Sequence, residues 1–93
     1  MEDLPNYTAW YEITLLECGP HKQDVIRLVR EYRFLGFIEG KNLVENLPQA
    51  AAYIGANNPA EAERCKARFE ALGAKVTMEL HFPVITGPGY YDE

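Results

Sequence analysis

Residues 22–41 hold five cations, Lys22, Arg27, Arg30, Arg33 and Lys41, spaced as a helix face would space them rather than as a catalytic set. Ammonium and guanidinium groups in that arrangement can bind carboxylates and steer an acidic partner into place. On a wheel of about 100° per residue, Lys22, Ile26, Arg30 and Arg33 share one arc, and Ile26 lies about 60° from the nearest core-facing residue, Val29. An aliphatic side chain ringed by charge is the pattern of a docking point. Burying it would contribute about 1.5–3 kcal/mol, while the surrounding charges set association rate and salt dependence. The predicted contact set is therefore Lys22, Ile26, Arg27, Arg30 and Lys41, with Gly36 between the helices and Arg33, Phe37 and Ile38 as secondary contacts. Gly36 is expected to serve the backbone, through positive φ and close approach.

The residue types of other chemistries are present without their patterns. His21 and His81 are 60 residues apart with no third ligand at metal spacing, which favours surface or capping roles over a metal site. Cys18 and Cys65 have no CxxC spacing, so reduced thiols are expected, Cys65 as a small core residue and Cys18 at a strand end. No Ser/His/Asp set, GxGxxG or GK[ST] loop occurs. The sequence therefore predicts neither an enzyme nor a cofactor.

These residues must be positioned by a small set of elements. In WYEITLLE, from Trp10, the apolar Tyr11, Ile13 and Leu15 alternate with Glu12, Thr14 and Leu16, the period of a strand with one buried face. Cys18-Gly19-Pro20 breaks it, and a helix begins at His21 or Lys22 with Val25, Leu28, Val29 and Tyr32 as its core stripe. A turn at Phe34-Leu35-Gly36 leads to a second helix with Gly40, Leu43, Val44 and Leu47 on one face, ended by Pro48. Ala51 to Ile54 reads as a short strand or an extended bridge. Asn58 as N-cap, Pro59 at the first helical position and Glu61 closing a capping box open a third helix. Its stripe is Ala62, Cys65, Phe69 and Leu72, and Gly73 caps it in the left-handed conformation. KVTMELHF then alternates as a last strand, with Val76, Met78, Leu80 and Phe82 on the buried face. The predicted fold is an α/β (α+β) two-layer sandwich, order β-α-α-β-α-β, with three helices on one face of a small antiparallel sheet. Residues 10–82 form the domain, 1–9 an N-terminal arm and 83–93 a C-terminal tail.

The totals agree with this. A chain of 93 residues has room for one core, and 47% hydrophobic with 25% charged residues is a globular balance. The net charge of -5 argues against direct nucleic-acid binding. No apolar run reaches bilayer length and the N-terminus is acidic, so the expected location is cytoplasmic, with no membrane partner. The charge is uneven, however: Cys18 to Leu47 carries five basic and four acidic residues, and the remainder nets -6. The middle of the chain is where an acidic partner would bind.

The same residues resemble a known family. YEITLL, the loop Gly19 to Lys22, VIRLVR at 25–30, LGF at 35–37, EGKNLVE at 39–45 and NPAEAERCKARFEALGAKVTMEL are similar to the C-terminal domain of the bacterial ribosomal stalk protein. The resemblance covers about three quarters of the chain. It implies a domain that contacts translational GTPases through the first helix of the hairpin and the start of the second. The family's functional basic positions fall on Lys22, Arg27, Arg30 and Lys41, with Ile26 and Gly36 at matching positions. Arg27 stands where the family often has Lys, Gln23 where it usually has an apolar residue, and Ile38 where it usually has Lys. No counterpart of the stalk protein's N-terminal dimerisation domain and hinge is present in the 93 residues, so the expectation is a stand-alone docking module. Its partners would be translational GTPases or another protein with an acidic docking surface, and by extension the ribosome.

A second reading is an adaptor or regulatory subunit of another complex that reuses the fold, as the small adaptor of the Clp proteases does. This chain has Cys18-Gly19-Pro20 where that adaptor would have an Asn-Asp loop. The tail GPGYYDE, with Tyr90 and Tyr91, is a disordered end, a linear binding motif, or a segment that folds over the positive helix face.

Overall fold

The computed structural model describes residues 9–83. The elements are β1 (Trp10–Glu17), α1 (Lys22–Arg33), α2 (Phe37–Glu45), β2 (Gln49–Gly55), α3 (Pro59–Ala71) and β3 (Lys75–His81). The three strands form one sheet in the order β2-β1-β3, antiparallel at both junctions. The helices cover one face, giving the predicted β-α-α-β-α-β sandwich. The stretch left open at Ala51 to Ile54 is a full strand of seven residues. Except for Ala9 and Pro83, the expected arm and tail lie outside the described residues, as do Tyr90 and Tyr91.

Alternation in β1 sends Ile13 and Leu15 into the core, both fully buried. Opposite them, β2 offers Ala51 and Ala52, where a register irregularity beside Ile13 puts both alanines inside. Small side chains there let α1 and α3 approach the sheet closely. α3 packs across all three strands, α1 over β2, and α2 mainly against α1. Val25, Leu28 and Val29 of α1 and Ala62, Cys65 and Phe69 of α3 belong to one buried cluster.

Two turns carry the helix connections. Gly19 (φ 79°) and Gly73 (φ 82°) are both left-handed, the first leading from β1 to α1 and the second from α3 to β3. A Cβ on Gly19 would come within 2.3 Å of the Gly73 carbonyl oxygen, so the two turns press backbone against backbone. Asn58 caps α3 with Pro59 following, but its side chain makes no capping hydrogen bond. The predicted capping box does not form, because Glu61 turns away to accept from the Tyr32 hydroxyl (3.0 Å) and to pair with Arg64 (3.2 Å).

The last strand departs from expectation at its far end. Val76 is buried and Met78 half-buried, whereas Leu80 is 43% and Phe82 70% exposed. The alternation is real, but the helix layer stops short of the sheet's end, so facing inward does not mean being covered. On that side of the molecule His81 stacks on Trp10 at 5.6 Å, with its Nε2 3.2 Å from Glu12 and 3.4 Å from Glu79.

Candidate functional site

The hairpin of α1 and α2 carries the predicted site, and its central residue is not where the helical wheel puts it. Ile26 is 1% exposed and belongs to the core. The cause is Gly40, whose missing side chain lets α2 close onto α1. A Cβ there would stand 2.6 Å from Arg30 Cγ and 3.5 Å from Ile26 Cγ2. Helix α1 thus has two buried faces, one on the sheet and one on α2, while a single-core wheel counts only the first. Ile26 is a packing residue of the hairpin and not an exposed docking point.

The cations are distributed over three places. Lys22 at the start of α1 and Lys41 on α2 meet at one carboxylate, Glu45, at 2.8 Å and 3.4 Å. Those two ammonium groups hold the Glu45 carboxyl below its ordinary range, the Lys22 hydrogen bond first among the causes. Arg30 lies at the opposite end of the hairpin. Its stem is packed against Gly40, its Nε donates to the Leu35 carbonyl at 3.3 Å, and its guanidinium stands 5.7 Å from the centre of the Phe37 ring. Arg27 pairs with Asp24 at 2.9 Å on the flank of α1 that faces α3. Arg33, expected among the secondary contacts of this face, turns instead to the sheet. It donates to the Ala50 carbonyl, and its guanidinium is 5.2 Å from the Tyr53 ring centre.

Gly36 is the N-cap of α2 with φ -73°, so the positive φ expected of it is absent. Its N–H donates to the Glu39 carboxylate at 2.8 Å. The left-handed residue of the turn is Phe34, φ 55°, a conformation that costs an L-residue roughly 1–2 kcal/mol. Phe34 is 92% exposed, with Phe37 at 47% and Ile38 at 65% beside it. Sequence reading named Phe37 and Ile38 only as secondary contacts and passed over Phe34. The available signal was an aromatic residue at a helix end where glycine or asparagine is usual.

A second feature also went unforeseen. Arg68 on α3 donates to the Glu31 carboxylate through both terminal guanidinium nitrogens, at 3.1 and 3.3 Å, and to the Tyr32 hydroxyl at 3.1 Å. This network ties α1 to α3 beside a cleft of about 330 Å³ lined by Asp24, Arg27, Leu28, Glu31, Arg68, Ala71 and Leu72. Desolvation pushes the Tyr32 phenol up to about 12, partly countered by the Arg68 hydrogen bond. A raised phenol favours the native state while the phenol is protonated. Its contribution is therefore complete below the ordinary tyrosine range near pH 10 and is lost as pH rises through about 12. Ultraviolet titration of the parent against Tyr32→Phe is expected to show one phenol ionising near pH 12.

Burial pushes the Cys65 thiol up to about 11 and raises that of Cys18, which disfavours the thiolate a nucleophile needs. Among the described residues no group of three or more His, Cys, Asp or Glu is arranged to hold a metal. No helix there is long and apolar enough to cross a membrane.

The family model described as ribosomal protein L7/L12 C-terminal domain matches residues 11–79, from β1 through both helices of the hairpin to β3. The large ribosomal subunit protein bL12 of Rickettsia canadensis (strain McKiel) is 42% identical over 69 residues, covering 74% of this chain and 54% of that protein. That of Hyphomonas neptunium (strain ATCC 15444) is 43% identical over 70 residues, with the same shares covered. That of Geobacillus thermodenitrificans (strain NG80-2) is 39% identical over 69 residues, again with the same shares. The chain spans about half the length of these curated relatives.

Proposed function

Since this chain belongs to the ribosomal protein L7/L12 C-terminal domain family, we propose that it is a non-catalytic docking module of the translation apparatus, acting in the cytoplasm and binding translational GTPases through the α1–α2 hairpin. The observation that carries this reading is the convergence of Lys22 and Lys41, from two helices, on the single carboxylate of Glu45. Both lysines sit where the family resemblance places functional cations. Their side chains are about half exposed, and an acidic partner group can compete with Glu45 for the ammonium groups. Exposed charges of this kind act chiefly on association rate and salt dependence. Arg30 and Phe37 extend the surface toward the hairpin tip.

Lys41→Glu tests the reading, because Lys41 lies outside the core cluster and reversing its charge leaves the Gly40 contact in place. Binding of a purified translational GTPase at low salt is expected to weaken about tenfold, mainly in the association rate, while stability falls by no more than about 1 kcal/mol, from the lost i,i+4 pair with Glu45 and the like charges that replace it. Equal binding by parent and variant would remove the hairpin from the interface.

A further inference from the structure

We infer that Phe34, with Phe37 and Ile38, forms an apolar knob at the hairpin tip that inserts into a partner pocket rimmed by carboxylates. The inference rests on the docking reading above and names the group that anchors it. Phe34 is anomalous twice over. It occupies a left-handed backbone conformation at φ 55°, which glycine would adopt without strain, and it exposes 92% of its surface.

Neither cost is offset among the described residues. The N–H groups of Phe34 and Leu35 both donate to the Arg30 carbonyl and Arg30 Nε donates to the Leu35 carbonyl, so the bonds that close the turn do not use the Phe34 side chain. The Phe34 ring makes no aromatic or cation–π contact among the described residues. Strain and exposed aromatic surface that the fold does not use are typical of contact sites. Residues 34–38 place two more large apolar side chains beside it, Phe37 at 47% and Ile38 at 65% exposure. Aromatic residues next to an arginine are also the composition that dominates binding energy at protein interfaces.

Arg30 sets the chemistry of the pocket's rim. Of its guanidinium nitrogens only Nε has an acceptor among the described residues, the Leu35 carbonyl. Glu39, on the first turn of α2, accepts from the Gly36 N–H rather than from Arg30. No carboxylate among the described residues pairs with Arg30, so its terminal N–H groups are complemented by a partner carboxylate.

Phe34→Gly separates a binding role from a structural one, because the two predict opposite signs for stability. The variant is expected to fold more stably, its Tm rising by about 4–8 °C as the strain is relieved, while its affinity for a purified translational GTPase falls about thirtyfold. A variant that binds like the parent would overturn the knob. Lys41→Glu, measured alongside, tells the two failures apart. If Lys41→Glu weakens binding and Phe34→Gly does not, only the knob is lost; if neither weakens it, the docking reading falls as well.

Discussion

Phe69→Ala is expected to cost about 3–5 kcal/mol of folding stability, the range for truncating a buried aromatic side chain. Phe69 is the largest fully buried side chain among the described residues and sits on α3, which packs across all three strands. Its ring lies 6.4 Å from that of Tyr32, so truncation also loosens the contact between α1 and α3. Its carbonyl accepts from Leu72 and Ala74 in the turn that follows, a connection the substitution leaves in place, which makes the loss one of packing. A domain of this size has on the order of 0.05–0.15 kcal/mol of stability per residue, so much of its margin would disappear. Urea denaturation followed by circular dichroism should show a large drop in midpoint with an unchanged slope, and Tm should fall by about 12 °C or more.

The second large effect is expected from one of the smallest substitutions. Gly19→Ala places a methyl group 2.3 Å from the Gly73 oxygen and 2.7 Å from its carbonyl carbon. Both atoms are backbone, so no side-chain rotation can relieve the clash. The left-handed φ of 79° adds roughly 1–2 kcal/mol for any residue with a Cβ, and overpacking adds about 1–3 kcal/mol. A loss of about 2–5 kcal/mol follows, measurable by the same denaturation experiment. Gly19→Ala as stable as the parent would mean that the two turns do not meet backbone to backbone.

Much of the architecture was legible because it depends on periodicity. Tyr11, Ile13 and Leu15 announce a strand, Val25, Leu28 and Val29 a helix, and Ala62, Cys65 and Phe69 another, and each pattern describes burial against the sheet. What stayed illegible depends on how elements meet. Ile26 reads as exposed until Gly40 is seen to admit α2 onto that side of α1. Leu80 and Phe82 alternate correctly but lie beyond the reach of the helices. Glu61 stands at capping-box spacing, yet Tyr32, 29 positions away in sequence, takes its carboxylate. The site was legible in residue type more than in arrangement. Lys22 and Lys41 do come together, although the carboxylate that joins them was not anticipated. Arg27 and Arg33 leave the face to which a common helix assigned them, and exposed apolar side chains stand at the hairpin tip, Phe34, Phe37 and Ile38, rather than at Ile26.

Arg33, drawn away from that face, has a bearing on how the molecule behaves in crowded solution. β2 lies at one edge of the sheet, and its sequence QAAAYIG contains no charged residue. An uncharged edge strand is a template on which another chain can add a strand and begin to aggregate. By donating to the Ala50 carbonyl and laying its guanidinium over Tyr53, Arg33 lends β2 the positive charge it lacks. A cation borrowed from a helix thus discourages self-association at the edge of the sheet.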